Sequence, residues 1–269
     1  MFYSNRLIIL LFILISCHTG KLTLLGSINS GLKEVSAAEL VNGSNLAWVI
    51  EDNGNANNLY GLTYEGKIEK SIDIINSEND DWEDLTSDEK GNIYIGDFGN
   101  NSESRQHFTI YKVSKNDLKK QDVKADKIEF TLPKKKNSRD FEAFFLLNNH
   151  FYIFSKEHKE TTVYKIPNIE GKHRAEFVLK HDFKSKHIRI TSADIATDGT
   201  IVLLNHKKMW LLKDYPEDQF FDGKIEEIDF NHNSQKEGIC FFPKEKNVLI
   251  SDERKGADGG NFYLLKIKD

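Results

Sequence analysis

Short apolar runs recur along this chain, and each of them ends in Asp, Asn, Glu or Ser. Each run follows a three-residue opening motif made of an acidic or small residue, a small residue and an apolar residue. Self-similarity at such intervals is typical of repeat architectures such as propellers. The five opening motifs are Ser36-Ala37-Ala38, Glu83-Asp84-Leu85, Glu142-Ala143-Phe144, Ala193-Asp194-Ile195 and Glu237-Gly238-Ile239.

Each repeat continues with a strand-like segment of alternating character and, in most copies, a more polar fourth segment. Tight turns such as Asp198-Gly199-Thr200 separate the first two segments and are typical of β-hairpins. The sequence therefore predicts an all-β fold, a five-bladed β-propeller of four-stranded units. Six blades is the alternative, if residues 167–191 hide a degenerate unit. The last repeat lacks a fourth strand, so we expect residues 22–28 to complete that blade and close the ring.

The N-terminus has the character of an export signal. Arg6 precedes an apolar run over residues 7–15, which is too short to span a bilayer, since that takes about 20 residues. Leu14-Ile15-Ser16-Cys17 resembles the lipobox of bacterial lipoproteins, which implies cleavage before Cys17 and lipid attachment to it. We predict a signal peptide (1–16), a lipidated tether (17–21) and one propeller domain (22–269), anchored by lipid in the cell envelope and facing the periplasm or the surface. An ordinary signal peptide with an incidental cysteine is the alternative.

Composition narrows the range of partners. The net charge of −5 gives no general affinity for nucleic acid. The two cysteines do not form a disulfide framework, and Cys240 lies in an apolar run that we predict to be buried. We expect a monomer that contacts the membrane through its lipid alone and binds a small-molecule or protein ligand.

The repeated acids are the main chemical signal. In a propeller, Glu83, Glu142, Glu237 and the near-equivalent Asp194 fall on one ring at one end of the channel. Facing carboxylates raise each other's pKa. They either bind a hard cation such as Ca²⁺ or accept hydrogen bonds from the backbone of the neighbouring blade. Candidate residues at the channel mouth, at the ends of second strands, are Asp97, Asn205 and Asp252.

Two further segments have weaker cation signals. The acidic run over residues 80–84, which contains Trp82, lies at a blade entrance and favours a cation over a sugar ring. The Gly/Asn turns over residues 52–55 and 96–101 resemble cation loops only weakly, and we interpret both as plain turns.

Five motifs together resemble the SdiA-regulated family of bacterial β-propellers. They are Glu34-Val35-Ser36-Ala37, Asp81-Trp82-Glu83-Asp84-Leu85, Phe141-Glu142-Ala143-Phe144, Glu237-Gly238-Ile239 and Ile250-Ser251-Asp252-Glu253-Arg254. The resemblance implies a five-bladed propeller, an exported location, a calcium ion at a site common to the family, and no established enzymatic activity. Ala37, Asp84 and Ala143 replace the family's glycine, which bears on the local turns and the calcium site if those positions need a positive φ.

No motif of a nucleophile elbow, zinc protease or P-loop is present, so we predict no catalytic residue. The sequence favours a non-catalytic, exported propeller lipoprotein that contains calcium and binds a ligand or protein. The alternative is a calcium-dependent hydrolase of the phosphoesterase or lactonase type, with its site at the channel. A metal-free interaction scaffold is the third hypothesis.

Overall fold

The computed structural model describes residues 19–133 and 138–267, and it confirms the five-bladed β-propeller. Residues 1–18, which include the predicted signal peptide and Cys17, lie outside the described residues. In the described part of the chain, no helix is long and apolar enough to cross a membrane. The described regular structure is β-strand except for one short 3-10 helix, Asp117–Lys119.

In every blade neighbouring strands pair side by side, from an innermost strand at the channel to an outermost strand at the rim. Blade 1 contains Val35–Leu40, Ala47–Glu51, Asn58–Leu62, Ile68–Ile74 and Asp122–Val123. Blade 2 contains Trp82–Ser87, Ile93–Asp97, Phe108–Val113, Asp126–Thr131 and Gly171–Arg174. Blade 3 contains Phe141–Leu147, His150–Ser155, Glu160–Pro167 and Glu176–Asp182. Blade 4 contains Ser192–Ile195, Ile201–Leu204, Lys208–Lys213 and Lys224–Asp229. Blade 5 contains Lys236–Phe241, Val248–Asp252, Asn261–Leu265 and Thr23–Ser27.

The ring closes as the sequence predicts. The innermost strand of each blade packs against that of the next, and the strand of blade 5 packs against that of blade 1. Thr23–Ser27 pairs antiparallel with Asn261–Leu265, so both ends of the chain build blade 5. Residues 167–191 contain no sixth blade, because they supply the fourth strand of blade 3 and the outermost strand of blade 2.

Five apolar clusters fill the spaces between adjacent blades. Between blades 1 and 2, Trp82 is fully buried and its ring lies 6.0 Å from that of Tyr111. Between blades 2 and 3, Phe98 packs edge-on against Phe144 at 5.1 Å. Burying a side chain of this size contributes about 1.5–3 kcal/mol. The innermost strands are therefore packed against apolar side chains on both faces.

Two short strands cross from one blade to its predecessor, a feature that the sequence did not reveal. Asp122–Val123 leaves blade 2 and pairs in parallel with the outer strand of blade 1. Gly171–Arg174 leaves blade 3 and pairs in parallel with the outer strand of blade 2. Each crossing strand covers a sheet edge that would otherwise be exposed.

A β-bulge marks the start of the innermost strand in blades 1, 2, 3 and 5. The four residues at the bulge are Ser36, Glu83, Glu142 and Glu237. A bulge bends the strand and re-aims the extra side chain, here at one end of the channel. In these four blades the opening motif found in the sequence therefore coincides with a bulge.

Candidate metal site at the channel mouth

Buried side chains of the innermost strands fill the channel and form a plug. One layer of the plug takes a single residue from each blade: Ala37, Asp84, Ala143, Ser192 and Gly238. The fully buried Asp84 carboxylate accepts hydrogen bonds from the Phe144 N–H (3.1 Å), the Ala193 N–H (3.2 Å) and the Ser192 hydroxyl (2.9 Å). It therefore ties blade 2 to blades 3 and 4.

Small residues in this layer are required by space, not by backbone conformation. Ala37, Asp84 and Ala143 have no positive φ, so the backbone is not strained at the positions where the family that the sequence resembles has glycine. A Cβ on Gly238 would lie 2.4 Å from the Ala38 nitrogen, closer than any real contact. The bulges lie at one end of the channel, beyond this layer.

Three of the four predicted ring acids lie together at this end, which we call the mouth. Burial, opposed by Lys156 and reinforced by Asp140 and Glu237, raises the pKa of Glu142 to about 8. Burial and the charges of Glu142 and Asp52 raise the pKa of Glu83 well above its usual range. The bulges thus gather mutually repelling carboxyl groups, as the repeat predicts.

The tightest group at the mouth consists of Asp52, Asp81 and Glu83, which we call the acid triad. One oxygen from each lies within 4.8 Å of the others. Asp52 follows the second strand of blade 1, and Asp81 precedes the bulge of blade 2. Burial, the charge of Asp52 and a hydrogen bond to Asp52 raise the pKa of Asp81 to about 7. Burial also raises the pKa of Asp52.

Gly99 leaves the room that the acid triad occupies. A Cβ at this position would lie 2.2 Å from Glu83 Oε1 and 2.5 Å from Asp81 Cγ. The Gly99 N–H donates to the Asp81 carbonyl at 3.1 Å, so the backbone itself closes one side of the site.

The acid triad fits a hard divalent cation. Its donors are all carboxylate oxygens, which Ca²⁺ binds at 2.3–2.6 Å. An ion midway between two oxygens about 4.8 Å apart would lie at about this distance from each of them. Glu83 is only 5% exposed, and in the described residues no hydrogen-bond donor contacts its carboxylate. Ionising a largely buried carboxyl group without a protein donor is unfavourable, and a cation would compensate the charge. Three carboxylates leave further coordination positions for water or a ligand.

A lysine lies among the remaining acids of the mouth. Lys156 Nζ contacts Glu142 Oε1 at 2.5 Å, and the Lys156 side chain is 19% exposed. Burial alone would lower the pKa of Lys156, but the charges of Glu142 and Glu237 outweigh it, so this pKa is raised. Lys156 is therefore a permanent cation at the mouth.

A histidine–glutamate pair lies on the other side of the mouth. His206 Nε2 and Glu237 Oε1 are 3.0 Å apart, and the His206 side chain is 37% exposed. Beneath them, Lys236 is fully buried and its Nζ donates to the His206 carbonyl at 3.0 Å. Burial lowers the pKa of Lys236 to about 8. Lys236 thus fixes the loop that presents His206.

Asp194 does not join the ring, contrary to the sequence prediction. In blade 4 the bulge position belongs to Thr191, whose hydroxyl donates to the Lys236 carbonyl at 2.9 Å. Ser36 makes the same bond to Trp82 in the next blade, at 2.8 Å. Asp194 lies three residues deeper and accepts a hydrogen bond from the Phe241 N–H at 2.7 Å. It therefore joins blade to blade, the alternative that the repeat left open.

The three residues predicted at the mouth from the ends of the second strands bind groups of their own loops, and Asp97 also accepts the N–H of the triad residue Asp81 at 3.2 Å. Asp97 pairs with Arg105 at 2.8 Å, and burial, opposed by Arg105, raises the pKa of Asp97 to about 6. The Asn205 side-chain oxygen accepts the N–H groups of the turn that follows it. Asp252 accepts the Tyr263 hydroxyl at 2.9 Å. Further mouth residues lie just after the ends of the second strands, among them Asp52, Lys156, His206 and Glu253.

Comparison with known proteins supports the fold. No protein-family model matches the sequence, and no curated protein matches it. A gluconolactonase from Xanthomonas campestris superimposes with a TM-score of 0.53 at 8% identity, covering 93% of this chain and 92% of that one. The Cps50 (Swd1) β-propeller domain of Myceliophteria thermophila gives 0.50 at 7% identity, covering 92% and 100%. At such identities the likeness shows the propeller fold alone.

Proposed function

We propose that this protein is an exported, lipid-tethered β-propeller that binds one Ca²⁺ at its mouth and uses the ion to hold a ligand. The observation that carries the proposal is the acid triad, three carboxylates within 4.8 Å of one another. The resemblance to the SdiA-regulated propellers points the same way.

The irregular surroundings of the triad favour calcium over magnesium. Its residues come from a loop of blade 1 and from the bulged start of blade 2. Ca²⁺ accepts six to eight oxygens in flexible geometry, whereas Mg²⁺ requires a near-ideal octahedron. Without an ion, the raised pKa values of Asp81 and Glu83 mean that protons take its place. Calcium binding should therefore release protons near neutral pH.

Calorimetric titration of the purified protein with Ca²⁺ tests the proposal. We expect one ion per chain and a melting temperature that rises with free Ca²⁺, as linkage requires. The Glu83→Gln variant should lose the binding. Glu39→Gln is the matched control, because Glu39 is another buried channel acid, 4% exposed, with burial and Asp194 raising its pKa. Wild-type protein without calcium binding, or a Glu83→Gln variant that binds normally, would contradict the proposal.

A second candidate function is calcium-dependent hydrolysis of a lactone or phosphate ester. The observation that favours it is the His206–Glu237 pair, which is within hydrogen-bond distance and partly open to solvent. Such a pair can act as a general base beside a metal-held substrate. A screen of lactones and phosphate esters with added Ca²⁺ tests it. Turnover no greater than that of a Glu83→Gln/Glu237→Gln double variant would remove this candidate.

The proposed location of the protein in the cell envelope is argued from its N-terminal sequence. The basic Arg6, the apolar run and the lipobox-like residues ending at Cys17 support export and lipid attachment. We expect the protein in the membrane fraction, with metabolic labelling by a radioactive fatty acid. Cys17→Ala should abolish the label and release the protein from the membrane, whereas Cys240→Ala should leave both unchanged.

A further inference from the structure

The backbone around the mouth repeats from blade to blade. Asp52, Lys156 and Glu253 each donate their N–H to a carbonyl two residues before a bulge, at 2.9, 2.9 and 2.8 Å. They therefore occupy equivalent positions in blades 1, 3 and 5. At this position blade 1 contributes a carboxylate to the acid triad, and blade 3 contributes an ammonium group.

The acids near Lys156 resemble those of the triad. Asp140 and Glu142 of blade 3 stand in the same relation to the bulge as Asp81 and Glu83 of blade 2. Lys156 contacts Glu142 at 2.5 Å, and the charges of Glu237 and Glu83 also act on it. The ammonium group thus lies among several carboxyl groups, where a second metal ion would otherwise find its ligands.

We propose that Lys156 is a built-in cation that occupies a second cation position of the mouth and limits the mouth to one divalent ion. This inference rests on the proposed function, since it divides the mouth between the triad and Lys156. In the described part of the chain the carboxylate of Glu83 has no hydrogen-bond donor. The acid triad, to which Glu83 belongs, is therefore the part of the mouth in which we place the divalent ion.

Removing the lysine charge should open the second position. Lys156→Met removes the ammonium group that lies 2.5 Å from Glu142 Oε1 and leaves the acidic residues of the mouth unchanged. We expect Lys156→Met to bind a second Ca²⁺, or to bind its ion at least about tenfold more tightly, equivalent to ~1.4 kcal/mol. In chelator its melting temperature should fall below that of the wild type, and Ca²⁺ should restore it.

Three further variants keep the test decisive. Lys165→Met is the matched control, because Lys165 lies in the same blade, is similarly buried at 21% exposure, and pairs with Asp218 away from the mouth. It should bind calcium as the wild type does. Lys156→Arg keeps the charge and should also bind one ion. Lys156→Gln replaces Lys156→Met if the latter does not fold, because the amide can still donate to Glu142.

The outcomes separate this inference from the proposed function. One ion in the wild type and a second or tighter ion in Lys156→Met would support both. One ion of equal affinity in both proteins would overturn the role of Lys156 alone. No ion in the wild type but one in Lys156→Met would show that Lys156 excludes an ion, and would overturn both calcium binding by the native protein and the division of the mouth between Lys156 and one ion. No ion in either would overturn both.

Discussion

Gly99→Ala should empty the metal site while leaving every acid in the sequence. The new Cβ would lie 2.2 Å from Glu83 Oε1 and 2.6 Å from Asp81 Oδ2. Ordinary contacts begin near 3.5 Å, so the Glu83 oxygen must retreat by about 1 Å. Calcium–oxygen distances vary only within about 2.3–2.6 Å, so such a shift removes Glu83, and Asp81 with it, from coordination.

We expect the Ca²⁺ affinity of Gly99→Ala to fall by ~100-fold, the upper end of what the loss of a supporting contact costs a metal site. Calorimetric titration measures the affinity, and melting in chelator shows whether the variant folds. Gly31→Ala is the control, because Gly31 is exposed. A Cβ at this position would lie 3.1 Å from its nearest neighbour, the Asn29 side-chain oxygen. Unchanged affinity in Gly99→Ala would refute the placement of the ion between Asp81 and Glu83.

Three other predictions concern protons and the contacts between blades. In chelator, the stability contributed by protons on Asp81 and Glu142 is fully present below their unfolded pKa values, about 3.9 and 4.3, and is lost as the pH rises through about 7 and 8. Melting temperatures across that range should therefore fall in chelator and fall less with Ca²⁺; a flat profile in chelator would contradict the raised pKa values. Asp84→Ala should lower the free energy of unfolding by about 3–5 kcal/mol in urea titration, since it leaves buried donors unpaired, and a loss below that of an average surface change would contradict its bridging role. Thr191→Ala should cost about 0.5–1.5 kcal/mol by the same measurement, and Thr191→Ser, which keeps the hydroxyl, should recover most of it.

The blades were predictable because turns and alternating strands repeat within the chain itself. The closing strand followed from the missing fourth strand of the last repeat. The crossing strands did not, because Asp122–Val123 is too short to show a pattern and pairs with a strand of another blade. Blade 4 was aligned wrongly because Ala193-Asp194-Ile195 imitates the opening motif, whereas the bulge position is occupied by Thr191, which carries no charge.

The site was half predictable for a similar reason. Glu83 stands in a repeated motif, so its place in the ring could be inferred. Asp52 lies in a turn that sequence alone indicates as ordinary, and its relation to Asp81 depends on how two blades meet. Lys156 follows the second strand of its blade directly, and His206 comes two residues after the second strand of its own, so their place just after these strands was the available signal.

Assembly of blade 5 from both ends of the chain has a consequence for the order of folding. Ser27 donates to the Asn261 side chain across 234 positions, so the ring cannot close before Asn261–Leu265 has been synthesised. Contacts of such long sequence separation form slowly. If the protein is exported as proposed, the open chain stays free of its final topology during passage through a membrane. Closure, and with it a complete mouth, would then occur only on the far side.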